Sequence, residues 1–316
     1  MYTIGIDLGG TNIAVGLCDE RLNMIEKESV PTHAERAPED IVRDMAAVSE
    51  SLINKHGLSP SDISYVGIVV PGSVNKELGE IDYTPNVPFK KFPLVDCFKG
   101  FLPVSKVYIE NDANAAALGE AIAGAGRGVK SLVMITLGTG VGGGVVIDGR
   151  IFSGCLNSHG AELGHTVIMK GGRRCGCGRE GCFEAYASAT ALKNMTAERI
   201  AELRASGIYS TMLNTDKATA RTAFDAAKGG DAEAQRLVDE YIEYLAVGVT
   251  NMINIFQPEM LLIGGGISGE GDNLILPLRK IVDCEQYTRA SEKKCEIRVA
   301  ELGNDAGIIG AAALGM

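Results

Sequence analysis

His165, Cys175, Cys177 and Cys182 fall in one glycine-rich stretch, and Glu184 follows two residues after the last thiol. Three thiols and an imidazole form the tetrahedral Cys3His set that Zn²⁺ prefers, and the intervening glycines let the backbone fold around an ion. The spacing reads as a structural zinc loop, with a disulfide pair or unliganded thiols as the competing readings. No second Cys/His pair stands at finger spacing, so a linear zinc finger fits poorly. Glu162, His165 and Glu184 place two carboxylates and an imidazole around this loop. Fixed acceptors on a rigid support suit the adjacent hydroxyls of a sugar. Solvent-facing charge is the alternative for Glu162 and Glu184. His33, His56 and His159 lack such a context and read as surface or loop residues.

A second kind of chemistry is written in glycine. Residues 2–8 read as a buried strand, Gly9, Gly10, Thr11 and Asn12 as a turn, and residues 13–18 as a returning strand; residues 131–149 repeat the design around Gly138, Thr139 and Gly140. Glycine at a hairpin tip lets backbone N–H groups approach an anion, and a neighbouring Thr or Asn adds a donor, so both tips read as phosphate cradles. Asp7, just before the first tip, is either a carboxylate holding Mg²⁺ beside nucleotide phosphates or a turn aspartate capping local N–H groups. Asn111 and Asp112 close a strand over residues 104–110, at the end where ligands collect in open α/β sheets. Phosphoryl transfer to an alcohol needs a carboxylate that orients and deprotonates the attacking hydroxyl, and Asp112 is the candidate general base. Its structural alternative is a helix N-cap ahead of Ala113.

Two stretches, 138–143 and 264–269, satisfy G-x-G-x-x-G, which raises a dinucleotide fold. That fingerprint needs a strand before it and a helix after it. The first stretch runs into a strand-like Val145-Val146-Ile147, and the second leaves too little chain for a dinucleotide half. Gly265 and Gly266 then read as a floor for the adenosine of ATP, or as a plain helix-opening turn.

The elements that must position these groups are legible from periodicity. Residues 38–56 read as an amphipathic helix, 65–70 as a buried strand running into Pro71-Gly72-Ser73, and 113–123 as a helix carrying the chain into a second domain. Residues 185–228 read mostly as helices, 232–256 as a long helix, 260–263 as a strand, 274–283 as a helix and 305–314 as a helix packed back on the first domain. The expected division is a small N-terminal domain of residues 1–112 plus 305–316 and a larger one of residues 113–304.

With 46% hydrophobic residues over 316, the chain can bury the cores of two domains. A net charge of −10 leaves no basic excess to neutralise phosphates, which argues against nucleic-acid or anionic-membrane binding and for small-molecule partners. Cys18, Cys97, Cys155, Cys284 and Cys295 are scattered without framework spacing, as expected of reduced thiols in a cytoplasmic protein. The first residues meet Asp7 too early for a signal peptide, and glycines break the uncharged run 131–147, which is too short to span a membrane.

Asp7-Leu-Gly-Gly-Thr11, Pro71-Gly72-Ser73, Thr84-Pro85-Asn86, Glu110-Asn111-Asp112-Ala-Asn114, Gly138-Thr-Gly140-Val-Gly-Gly143, Glu162-Leu-Gly164-His165 and the run from Cys175 through Cys182 to Glu184 together resemble the ROK family of sugar kinases and repressors. The match spans nearly the whole chain and is nearest to the family's bacterial ATP-dependent glucokinases. The resemblance implies an α/β protein of the actin-like ATPase fold (hexokinase-like, ribonuclease H-like), with two domains flanking a cleft, assembled as a homodimer or higher homo-oligomer. It implies that Asp112 is the catalytic base for the 6-hydroxyl of D-glucose, with Asn111, Glu162, His165 and Glu184 on other hydroxyls. Gly72, Ser73 and Asn86 would line the sugar side. Gly9, Gly10, Thr11, Gly138 and Gly140 would face the phosphates of ATP, with Gly265 and Gly266 near the adenosine. Repressor members carry a helix-turn-helix ahead of the Asp-Leu-Gly-Gly-Thr motif, which disfavours repression here. N-acetylmannosamine, N-acetylglucosamine, fructose or allose are alternative substrates within the family, and a non-catalytic sugar sensor is the alternative of a different class. Loops over residues 75–86 and 157–162 are expected to set that choice.

Overall fold

A computed structural model describes residues 1–156 and 159–316, so the start of the second expected specificity loop, at Asn157, lies outside the described residues. In chain order the strands are β1 (Tyr2–Leu8), β2 (Asn12–Cys18), β3 (Met24–Pro31), β4 (Ile63–Val70), β5 (Ser73–Asn75), β6 (Glu80–Tyr83), β7 (Lys90–Phe92), β8 (Val107–Asn111), β9 (Ser131–Leu137), β10 (Val141–Ile147), β11 (Arg150–Ile151), β12 (Met260–Gly264) and β13 (Glu296–Val299). The helices are α1 (Pro38–Lys55), α2 (Leu94–Phe101), α3 (Asp112–Ala123), α4 (Glu184–Ala187), α5 (Ala189–Ser206), α6 (Thr222–Lys228), α7 (Ala232–Phe256), α8 (Asp272–Glu285) and α9 (Ala306–Ala313). One sheet runs β3-β2-β1-β4-β8 and another β11-β10-β9-β12-β13. Counted by position among their own strands, the two orders are the same. This is the internal duplication that the paired glycine hairpins predict. A small third sheet, β5-β6-β7, follows Gly72.

The chain divides into two compact units, Met1–Leu132 with Gly144–Ala161 and Glu301–Met316, and Val133–Gly143 with Glu162–Ala300. In the first unit β1 pairs antiparallel with β2 and parallel with β4, and β4 pairs parallel with β8. The strand period of two sorts β1 between two faces. Ile4, Ile6 and Leu8 join Ile41, Val42, Met45 and Leu52 of α1 in one core, each of them fully buried, and each such side chain contributes about 1.5–3 kcal/mol. Gly5 and Asp7 point to the other face, where α9 lies. A Cβ on Gly5 would meet the Ile308 carbonyl oxygen at 2.0 Å, and one on Gly67 of β4 would meet that of Ala311 at 1.9 Å. Glycine here lets a helix backbone rest directly on the sheet.

The same device joins α9 to α3, since a Cβ on Gly310 would meet the Ala115 carbonyl oxygen at 1.8 Å and one on Gly119 that of Ala306 at 2.6 Å. Buried Glu120 adds polar ties, accepting the N–H groups of Ala125, Glu301 and Leu302 at 2.9, 3.1 and 2.7 Å. Helix α3 therefore stays with the first unit, where the sequence expectation had it begin the second domain. Residues 144–161 also belong to the first unit. Gly144 sits against the start of α3, and a Cβ there would meet the Ala113 carbonyl oxygen at 2.6 Å.

Candidate active site

Asp7 is the last polar residue of β1, and the sheet register places it opposite Val69, which in turn faces Glu110 on β8. The carboxyl ends of β1, β4 and β8 are thereby level. Beyond Asp7 the first tip is exposed at Gly10, Thr11 and Asn12 and braced from beneath. The Gly9 N–H donates to Asn12 O at 2.9 Å, the Thr32 N–H to Thr11 O at 2.8 Å and the Thr32 hydroxyl to Gly9 O at 2.7 Å. Burial first, then the charge of Asp112, push the Asp7 carboxyl up to about 7. Two carboxylates near enough for one to oppose the ionisation of the other make a place where a cation is favoured.

Strand β8 hands over to α3 at Asn111, whose Oδ1 accepts the N–H groups of Ala113 and Asn114 at 2.9 and 3.1 Å. Asn111 is therefore the N-cap, and Asp112 is the first helical residue, with Oδ1 accepting the Ala113 N–H at 2.8 Å. Asn111 Nδ2 donates to Gly72 O at 3.1 Å, so its side chain ties the strand end to the loop carrying Gly72 and Ser73. A Cβ on Gly72 would meet Tyr83 O at 2.2 Å, which holds that loop flush with β6. Asn86 is exposed in a loop shaped by Thr84, whose hydroxyl donates to Val87 O at 2.7 Å, and it lies beside Gly10.

Glu110 and Lys76 join the site without any mark in the local sequence. Glu110 is 2% exposed and forms an ion pair with Lys76. Its Oε1 accepts the Asn111 N–H at 2.8 Å and Asn114 Nδ2 at 3.1 Å, while Lys76 Nζ also donates to Ser153 Oγ at 3.1 Å. The buried Glu110 carboxylate, held by the partly exposed Lys76, thus fixes the backbone of Asn111 immediately before Asp112. Nothing local in the sequence signals a partnership across that separation.

In the second unit the tip Gly138-Thr139-Gly140 closes on itself through the Gly138 N–H and Gly140 O at 3.0 Å. Gly265, at φ +82°, follows β12 and approaches the backbone of Leu137, just before the tip, so closely that a Cβ would come within 2.6 Å. The candidate adenosine floor, Gly265 and Gly266, and the candidate phosphate tip are thereby adjacent within one unit.

His165, Cys175, Cys177 and Cys182 converge, with one ligand atom from each all lying within 4.8 Å of one another. Cys177 Sγ and Cys182 Sγ are 3.7 Å apart and Cys175 Sγ and His165 Nδ1 3.6 Å. A regular tetrahedron with Zn–S near 2.3 Å and Zn–N near 2.0–2.1 Å has S···S edges of about 3.8 Å and S···N edges of about 3.6 Å. The cluster fits zinc, and all its cysteines are free thiols, which removes the disulfide reading. The loop is shaped by the Cys175 N–H to Arg179 O at 2.8 Å and by Gly181 at φ +78°, where a Cβ would meet Met169 O at 1.7 Å. Glu184, half-buried, directs Oε1 to Cys175 Sγ at 3.3 Å and accepts the Val141 N–H on Oε2 at 3.1 Å. Glu162 is exposed, with its carbonyl accepting the His165 N–H at 3.1 Å. The remaining histidines pair with carboxylates of the first unit: His33 with Glu35, His56 with Glu26 and His159 with Asp82.

A repeated 3-2-1-4-5 sheet, with carboxylates at the strand ends and two glycine tips, defines the actin-like, hexokinase-like ATPase fold. The chain belongs to the ROK family, whose family model matches residues 3–316. A glucokinase of Thermotoga maritima is 41% identical over 314 residues, covering 98% of this chain and 96% of its own. Among solved structures, a ROK hexokinase from Thermus thermophilus matches with a TM-score of 0.80 and 33% identity over 99% of this chain and 97% of that one. A ROK family glucokinase from Streptomyces griseus, in complex with glucose and AMPPNP, matches with a TM-score of 0.78 and 32% identity over 99% of both chains.

Proposed function

We propose that this protein is an ATP-dependent glucokinase that phosphorylates the 6-hydroxyl of D-glucose. The observation that carries the reading is Asp112, set at the carboxyl end of β8 by the Asn111 cap and the Glu110–Lys76 pair, level with Asp7 and the first glycine tip. The relatives' activity gives the reaction its substrate.

Asp112 accepts the proton of the sugar hydroxyl as that oxygen attacks the terminal phosphorus of ATP. Gly10, Thr11 and Asn12 at the first tip, and Thr139 and Gly140 at the second, offer donors to the phosphates, Gly9 and Gly138 shape the tips by closing their N–H groups on Asn12 O and Gly140 O, and Gly265 and Gly266 receive the adenosine. Asp7 would hold Mg²⁺, whose chemistry when bound is to offset phosphate charge; an aspartate pushed up to about 7 beside a second carboxylate gains most from such a cation. Gly72, Ser73, Asn86, Asn111, Glu162, His165 and Glu184 contact the sugar. Asn111 has one amide hydrogen left for that task after its bond to Gly72 O. The Cys3His loop holds zinc as a brace and takes no part in the transfer. The five cysteines outside that loop are unpaired thiols, which fits the reducing cytoplasm, and family resemblance supports a homodimer.

A coupled ADP-release assay with MgATP and a panel of hexoses tests this reading. D-glucose should have the highest kcat/KM. A higher value for N-acetylmannosamine, N-acetylglucosamine, fructose or allose would move the activity to another member of the family, and no sugar-dependent ADP release would favour a non-catalytic sensor.

A further inference from the structure

The metal loop is built onto the second glycine tip. Glu184, two residues after Cys182, accepts the Val141 N–H at 3.1 Å on one side of the tip. The Ala189 N–H donates to Gly138 O at 2.8 Å on the other side. The segment 184–189 therefore clasps Gly138-Thr139-Gly140 at both ends. The Glu184 carboxylate lies so close to the tip that a Cβ on Gly140 would meet Oε2 at 2.2 Å. The histidine end of the loop reaches the same strand, since a Cβ on Gly164 would meet Val141 O at 2.1 Å and one on Gly143 would meet the Leu163 side chain at 2.7 Å. Both ends of the metal loop thus rest on the start of β10.

We propose that the Cys3His loop is a splint for this tip, with Glu184 as a positioning residue, so that metal occupancy and nucleotide affinity are coupled. The inference rests on the reading of Gly138-Thr139-Gly140 as a phosphate site. A tip that donates N–H groups to phosphates works only if those groups are already aimed, and Glu184 and Ala189 fix its two flanks. Because the coupling is one between binding equilibria, it runs both ways: the metal tightens nucleotide binding and nucleotide tightens metal binding.

The test is isothermal titration of a non-hydrolysable ATP analogue with Mg²⁺, without sugar, into the metal-loaded full chain. Glu184→Ala removes the acceptor, whereas Glu184→Gln keeps an amide oxygen that can accept the Val141 N–H. Ala189→Pro deletes only the other N–H: Ala189 opens α5 after extended Ser188 (φ −71°, ψ 162°), where proline is tolerated. Kd should rise roughly tenfold in Glu184→Ala and by at least about threefold in Ala189→Pro, and stay within about threefold of the parent in Glu184→Gln. Chelating the metal from the parent should raise Kd similarly, and saturating nucleotide should raise the chelator concentration needed to strip the metal at equilibrium. A parent that does not bind the analogue sinks the phosphate reading itself. A parent that binds it, with Glu184→Ala and Ala189→Pro unchanged or with Glu184→Gln as weak as Glu184→Ala, overturns the splint.

Discussion

Replacing Asp7 by Asn should stabilise the protein, and should do so increasingly as pH rises. The Asp7 carboxyl titrates near 7 in the fold against 3.8 as its ordinary value, because burial and then the charge of Asp112 both oppose its ionisation. The folded state therefore holds a proton that the unfolded chain releases, and stability drains away between about pH 4 and pH 7. A shift of about three units corresponds to roughly 4 kcal/mol once the pH exceeds 7, and to less than half of that at pH 5. Asn carries no titration, so Asp7→Asn recovers that amount, offset by a constant packing term that cancels between the two pH values. At about 2–4 °C per kcal/mol for a domain of 150–250 residues, its Tm gain over the parent should be roughly 5–10 °C larger at pH 8 than at pH 5. Thermal melts by circular dichroism at both pH values measure this. A Tm difference that is the same at pH 5 and pH 8, or larger at pH 5, would refute the assignment of a strained, partly buried carboxylate.

Two further substitutions probe the frame around Asp112. Lys76→Met leaves Glu110 buried without its counter-charge and should cost about 3 kcal/mol, the lower end of the range for broken buried pairs, because the lysine side chain is a third exposed and Glu110 keeps two hydrogen bonds; the Lys76→Met/Glu110→Gln double variant should recover most of it in urea titrations. Gly310→Ala gains about 1 kcal/mol of helix propensity but drives a Cβ to 1.8 Å from the Ala115 carbonyl oxygen, and backbone overpacking of 1–3 kcal/mol or more outweighs the gain, so its Tm should fall.

The hairpins, α1, α7 and α9 were legible because each carries a local signature: glycine at a tip, apolar spacing, or a run of small residues. Strand β3 was not, because the middle two of its inward-facing residues are polar. Between Met24 and Val30, Glu26 and Glu28 are half-buried against Lys55 of α1, while Ile25 is exposed, so the apolar alternation is broken at the strand's centre. Strands β5, β6 and β7 are three or four residues long and leave no period to read. At the candidate site, local spacing picked out the Cys3His cluster, both glycine tips and the strand-end positions of Asp7 and Asp112. The cap is Asn111, one residue before the position weighed for it, a distinction that turns on backbone angles. Lys76, which anchors Glu110, and Glu184 as a bond to Val141 arise from contacts between distant segments, and residue type alone carries no sign of them.

The role of Asp112 as the base is tested most directly by glucose-dependent ADP release from the parent and from Asp112→Ala, measured beside the affinity of each for a non-hydrolysable ATP analogue. Turnover should fall by about 10²–10⁴-fold, the usual worth of a general base, while nucleotide affinity stays within about threefold. Turnover within about tenfold of the parent's, at equal nucleotide affinity, would contradict it.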